Sequence, residues 1–150
     1  MNARQAELAI ARHCNYRTNV IVPNVFWGMG LHYEADLVVL RPSSWAIEVE
    51  IKVSASDIKA DLKKRNAHDS ILFKELWFAV PEKLADHPDI PKRAGIFAVR
   101  GTKAWEVRRV RGAETNKHSR KWTDKERQRL YELGLMRIWN LKKLAEKEAE

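Results

Sequence analysis

The sequence has one cysteine, Cys14, among 150 residues. A single thiol excludes an intramolecular disulfide and a thiolate zinc site, and it suits a reducing compartment; the expectation is a cytoplasmic protein. There is no membrane-length apolar run. The most apolar stretch, "NVIVPNVFWGMGL", is broken by Pro, Gly and Asn well short of a span. A signal peptide is not expected, because Arg4 and Glu7 interrupt the first residues. The five histidines lack a ligand spacing such as HxxxH, so none is assigned to a metal. Internal repeats, low-complexity tracts and sequence-reading motifs such as a zinc finger are all missing.

What is present describes one folded domain. The chain is 45% hydrophobic and 32% charged, enough apolar material for a core and too much for disorder. Net charge is +8 and unevenly placed. Residues 100–129 hold 11 Lys and Arg against 4 Asp and Glu, while the remainder holds 17 against 16. A basic segment of this kind points to a polyanion, although a solvated surface explains charge alone equally well.

The pattern along the chain is α-β-β-β-α-β-β-β-α. A first helix is expected over 2–14, with Ala3, Ala6, Ile10, Ala11 and Cys14 on one stripe. Strands are expected over 18–28, 33–42 and 44–53; Pro23 places the first at an edge or a bulge. Ser56 followed by "DIKADLKK" predicts a capped second helix, with Ser54 as the competing cap. Further strands are expected over 75–81, 94–99 and 104–109, the last of them at the outside. Thr123 and Glu126 form a capping box for a long last helix, whose apolar side is Leu130, Leu133, Ile138, Leu141 and Leu144 and whose end projects. These elements predict an α/β fold, a mixed β-sheet flanked by helices. Residues 1–110 would be its core, and 111–150 a basic segment and helix belonging to the same domain.

The chemistry lies in "YEADLVVL" and "WAIEVEIKV". Glu48, Glu50 and Lys52 share one strand parity, and Ile47, Val49 and Ile51 take the other. Glu34 and Asp36 share a parity on the preceding strand. Antiparallel pairing would therefore bring Asp36, Glu50 and Lys52 together. Two carboxylates with carbonyl oxygens and water suit a hard cation, and a lysine beside it suits a phosphate. The bland alternative is a salt-bridge ladder on a solvated sheet face.

Asp36 followed by Glu50-Ile51-Lys52 resembles the signature of the PD-(D/E)xK nuclease superfamily. Within it, "EADLVVL", "IEVEIKVSASDIKADLKK" and "LWFAVPE" are similar to the MmcB-like DNA-repair protein family, over roughly residues 5–100. The resemblance implies a restriction-endonuclease-like fold and Mg²⁺- or Mn²⁺-dependent hydrolysis of DNA phosphodiesters. It implies Asp36 and Glu50 as metal ligands, a backbone carbonyl from Ile51, Lys52 as the catalytic lysine and Glu7 as an outer ligand. Two departures stand out. "EAD" lacks the proline of the signature, leaving Glu34 as a competitor, and Glu48 adds a third acid to the motif strand.

On this reading Arg108, Arg109, Arg111, Lys117, Arg120, Lys121 and Lys64 would contact the phosphate backbone. Asp57, Asp61, Lys64 and His68 would share one helical face beside the site. Trp105 and Trp122 could stack on unpaired bases, while Trp27, Trp45, Trp77 and Trp139 should be core. A homodimer would let so compact a nuclease reach both strands. The rivals are a non-catalytic DNA-binding module, an RNA-directed nuclease and a protein-interaction subunit working through the last helix.

Overall fold

The structure is a computed structural model that describes residues 1–26, 28–63 and 68–149. Lys64 and Trp27 lie outside the described residues. Every expected element forms, in the expected order: α1 (Ala3–His13), β1 (Val20–Val25), β2 (Ala35–Leu40), β3 (Ala46–Ile51), α2 (Ala55–Leu62), β4 (Glu75–Pro81), β5 (Gly95–Arg100), β6 (Glu106–Arg111) and α3 (Asp124–Ala149), with one 3₁₀ turn at Glu82–Leu84. The strands make a single six-stranded mixed sheet in sequence order, so β1 and β6 are its edges. Pro23, which cannot donate to a ladder, accordingly sits on an edge strand. β1, β2 and β3 pair antiparallel, β3, β4 and β5 parallel, and β6 returns antiparallel to β5. Among the described residues no helix is long and apolar enough to cross a membrane.

Helices cover both faces. α1 lays Ala9 and Ile10 on the face of Leu37, Val39, Ile47, Val49, Trp77 and Phe97. On the other face, Ile58 of α2 packs against Phe78 and Ile96, while Leu130 and Leu133 of α3 pack against Val22, Val38 and Leu40. α2 starts two residues earlier than a cap at Ser56 implied. Ser54 is its cap: Ser54 Oγ accepts from the Asp57 N–H at 3.2 Å, and Asp57 Oδ2 accepts from the Ser54 N–H at 3.1 Å. Asp57 completes a reciprocal box only with a cap three residues before it, which selects Ser54 over Ser56. The helix is thereby phased so that Ile58 and Asp61 both face the sheet.

α3 runs for 26 residues, about 39 Å, whereas the six-residue strand β1 beneath it spans only about 20 Å. Gly134 passes so close to Val22 that an added Cβ would lie 3.3 Å from it, and Arg137 donates to the Pro23 and Asn24 carbonyls. Beyond Arg137 the helix projects, and Ile138, Leu141 and Leu144 are exposed rather than packed. Trp139, expected in the core, is 63% exposed for the same reason. Trp77 is buried, and Trp45 is half-buried beneath the Lys74 ammonium.

A buried acidic site

β2 and β3 pair as the parity argument required, with Leu37 opposite Val49 and Val38 opposite Glu48, so Asp36 falls beside Glu50. The Ile51 N–H donates to Asp36 Oδ2 at 2.8 Å, tying the carboxylate to the motif strand. Lys52 Nζ lies 2.7 Å from Glu50 Oε2, 3.1 Å from Asp61 Oδ1 and 3.7 Å from Asp36 Oδ2. Glu34, the competitor for Asp36, is exposed and accepts instead from Asn24 Nδ2. The three motif residues thus converge, and Asp36 is the acid that joins them.

The solvated ladder does not describe this face. Glu48, Glu50, Lys52, Asp61 and His68 are all buried under α2 and the 68–73 segment. Burying ionised groups costs several kcal/mol per ion unless each finds partners, and here each does. Glu48 accepts from Tyr33 Oη on one oxygen and pairs with His68 Nδ1 on the other, both at 2.8 Å. His68 Nε2 pairs with Asp61 Oδ2 at 2.9 Å. The Tyr33 and Phe78 rings meet the His68 ring edge-on. Asp36 opens the group outward, its side chain 32% accessible against 1% for Glu50.

The electrostatics follow from this packing. Burial opposes the charge on His68, but its hydrogen bonds to Asp61 and Glu48 push it up to about 10, so it stands as a cation. Burial works against the Lys52 charge too, and the Glu50 carboxylate more than restores it, holding the ammonium above its ordinary value. Asp61 is resisted by burial yet held well below the carboxylate range by His68 and Lys52. Asp36 and Glu50 go the other way. Burial raises both; the charge of Glu50 adds to it at Asp36, and that of Glu48 at Glu50, against a lowering pull from Lys52.

Glu7, on α1, is half-buried. Burial raises its carboxyl, Arg4 lowers it and the charge of Asp36 raises it, so the two acids feel each other. His68 joins the acids, single ligand atoms of Glu48, Glu50 and His68 lying within 4.8 Å of one another, but as a cation with both ring nitrogens bonded it offers a metal no lone pair. Nor does it extend a helical face with Asp57 and Asp61, because α2 ends at Leu62 and His68 has a left-handed backbone, φ 68°. No local spacing announces it; only the tertiary fold brings it to Glu48. The donor chemistry suits a hard divalent cation. Four carboxylates face two cations, the acids with raised values are neighbours, and one of them opens to solvent.

The basic residues do not form one patch around this site. Arg109 stacks over Trp77 on the opposite sheet face, 5.2 Å from the ring centre. Arg108 and Arg111 lie toward the acidic face but on the edge strand β6, three strands from β3 and thus about 14 Å away. Arg108 pairs with Glu82, and Arg111 donates to the Ala94 and Pro91 carbonyls. Arg120 pairs with Glu126. Lys121 is exposed, and Lys117 lines a cleft shared with Glu48 and His68. Trp122 is buried, donating to the Leu72 carbonyl at 2.7 Å, and is closed to stacking on bases; Trp105 is half-buried against the α1-side core.

The fold is shared with the SPO1766 protein of unknown function from Silicibacter pomeroyi, at TM-score 0.68 and 20% identity over 100% of this chain and 95% of that one. No family model matches the sequence, and no curated protein matches it.

Proposed function

We propose that the protein is a Mg²⁺- or Mn²⁺-dependent nuclease acting on DNA, of the PD-(D/E)xK kind that its motif resembles, serving DNA repair or recombination. The observation that supports this best is the convergence of Asp36, Glu50 and Lys52 on one sheet face, with Asp36 at the solvent opening. Asp36 and Glu50 would hold the metal, with the Ile51 carbonyl and Glu7 completing or flanking the set. Bound there, the cation would polarise the phosphate and lower the pKa of its water. Lys52, kept charged by Glu50, would supply positive charge where the phosphorane develops negative charge. Ile51 fixes the Asp36 carboxylate, and α2 with His68 screens the inner acids from water.

The test is cleavage of labelled single-stranded, duplex, flapped and four-way DNA with Mg²⁺, Mn²⁺ or chelator, with Asp36→Asn in parallel. Metal-dependent cutting lost in the variant supports the reading. Intact cutting in the variant, or none by the natural protein on any substrate, sinks it.

A second reading, a non-catalytic DNA-binding module of the same fold, draws on a different observation. Both oxygens of Glu48 and one of Glu50 already have partners in Tyr33, His68 and Lys52. Such a protein would bind DNA yet show no Mg²⁺ uptake by calorimetry.

A further inference from the structure

Six exposed large apolar side chains fall within residues 135–144 of α3: Leu135, Met136, Ile138, Trp139, Leu141 and Leu144, each 49–63% exposed. They are spread around the helix, and a helix apolar on every side is ordinarily a buried one. One face has a defined pattern. At helical spacing Arg137, Leu141, Leu144 and Glu148 continue the face through which Leu130 and Leu133 meet the sheet. Their steps of four, three and four are those of a two-helix seam. Leu135, Met136 and Trp139 lie off this face, and the Lys142 ammonium already covers the Trp139 ring, 5.1 Å from its centre.

The seam reads the same from either end except in charge: a cation, two leucines, an anion. Turned antiparallel about a two-fold axis, it therefore matches itself. Leu141 meets Leu144 of the partner subunit, and Arg137 meets Glu148 of the partner subunit, with both contacts repeated by symmetry. A parallel pair would set Arg137 against Arg137 and Glu148 against Glu148, so charge selects the antiparallel one. Arg137 is already held in place: Nε and Nη2 donate to the Pro23 and Asn24 carbonyls, and Nη1 bonds nothing among the described residues. Packed layers lie about 10 Å apart, whether sheet or helix. A second α3 thus occupies the layer that the sheet vacates where β1 ends.

We infer that two copies of this chain pair antiparallel through the projecting halves of α3, with Leu141 and Leu144 at the centre and Arg137–Glu148 pairs at the two ends. Ile138, Leu141 and Leu144, with the stems of Arg137 and Glu148, bring about 400–500 Å² per copy, or about 1,000 Å² for the pair. That is the lower bound for a specific interface, so the dimer is weak and forms in the micromolar range. In a dilute denaturation experiment the chain is a monomer and Leu141 stays uncovered.

The test is sedimentation velocity of the full chain from about 2 to about 200 µM, where a weak dimer responds to mass action. The natural protein should pass from the mass of one chain to that of two. Leu141→Glu, at a position more than half exposed, should stay monomeric throughout, with an unchanged melting temperature at the dilute end. Glu148→Arg sets like charges opposite one another twice in each dimer and should weaken association about 10-fold. Trp139→Ala, off the seam, should leave association unchanged. A natural protein that is monomeric at the highest concentration overturns the pairing, as does association that survives Leu141→Glu or is lost in Trp139→Ala. Association abolished by Leu141→Glu but untouched by Glu148→Arg overturns the antiparallel register. A monomer that floats with vesicles of phosphatidylcholine and phosphatidylglycerol overturns the pairing in favour of a membrane surface. None of these measurements involves DNA or a metal, so the nuclease reading stands or falls separately.

Discussion

Lys52 Nζ stands 2.7 Å from Glu50 Oε2, and both side chains are almost wholly buried. The pair is therefore structural as well as chemical, and variants at the two positions will confound activity with folding. Lys52→Ala leaves Glu50 and Asp61 inside the protein without their ammonium, a loss of about 3–5 kcal/mol for a broken buried pair. Asp36, a third accessible, is the cleaner probe. Asp36→Asn should lower cleavage by at least 100-fold, on the scale of a lost metal or electrostatic contact, with a melting temperature within a few degrees of the natural protein. Cleavage assays paired with thermal melts decide it. An Asp36→Asn protein that cuts normally removes the metal assignment.

His68 bonds Asp61 and Glu48 at once, and its cationic form holds the inner acids together. Its folded value, pushed up to about 10, lies above the ordinary 6.5 of an unfolded histidine. A group raised in this way contributes its full stabilisation below pH 6.5 and loses it as pH climbs towards 10. Stability measured by urea denaturation in chelator should therefore fall between pH 7 and 10. His68→Gln should be less stable at pH 6.5 and show a flatter slope across that window. Parallel slopes for the two proteins would mean that His68 is neutral when folded.

The sheet was legible from the sequence because β3 and β6 alternate while β4 and β5 are short apolar runs bounded by turn residues, and the hairpin of β2 with β3 follows from the short "PSS" turn. Parity could bring Asp36 to Glu50 and Lys52. It could not tell that the acidic face is roofed, since the roof comes from Tyr33, Asp61 and His68, distant in sequence and carrying no periodic signal. Ser54 and Ser56 compete locally for the same cap, their hydroxyls 2.8 Å apart, and only the reciprocal bond from Asp57 decides between them. In α3 the apolar stripe was plain at Leu130 through Leu144, but a stripe does not report where the sheet beneath it stops.

That geometry makes the helix energetically uneven. Leu130 is fully buried against Val22 and Leu40, whereas Leu141 is 54% exposed. Leu130→Ala should cost about 2–5 kcal/mol, and Leu141→Ala no more than about 0.5 kcal/mol. Trp122→Ala belongs with the first group. It removes a buried ring packed on Phe73 and the donor to the Leu72 carbonyl, for about 3–5 kcal/mol. Urea denaturation of the three variants gives the ordering. A Leu141 variant as damaged as the Leu130 one would show that the projecting half of α3 is covered in solution.

The arginines and lysines of the basic segment divide by what they already hold. Arg111 supplies donors to the Ala94 and Pro91 carbonyls from a half-buried position, so its work is internal. Lys117 and Lys121 are exposed and make no ion pair among the described residues. Phosphate contacts release counterions, and each one contributes about 0.7 to the slope of log affinity against log salt on a single strand. Replacing Lys117 and Lys121 together by alanine should lower that slope by about 1.4, two contacts' worth, with little change in stability. Arg111→Ala should leave the slope alone and cost about 1–3 kcal/mol, because a single donor group leaves two carbonyls behind. Salt titrations of oligonucleotide binding, with denaturation curves on the same preparations, distinguish the two kinds of cation. If Arg111 moved the slope and the lysines did not, DNA would run along the β6 edge and not past the cleft.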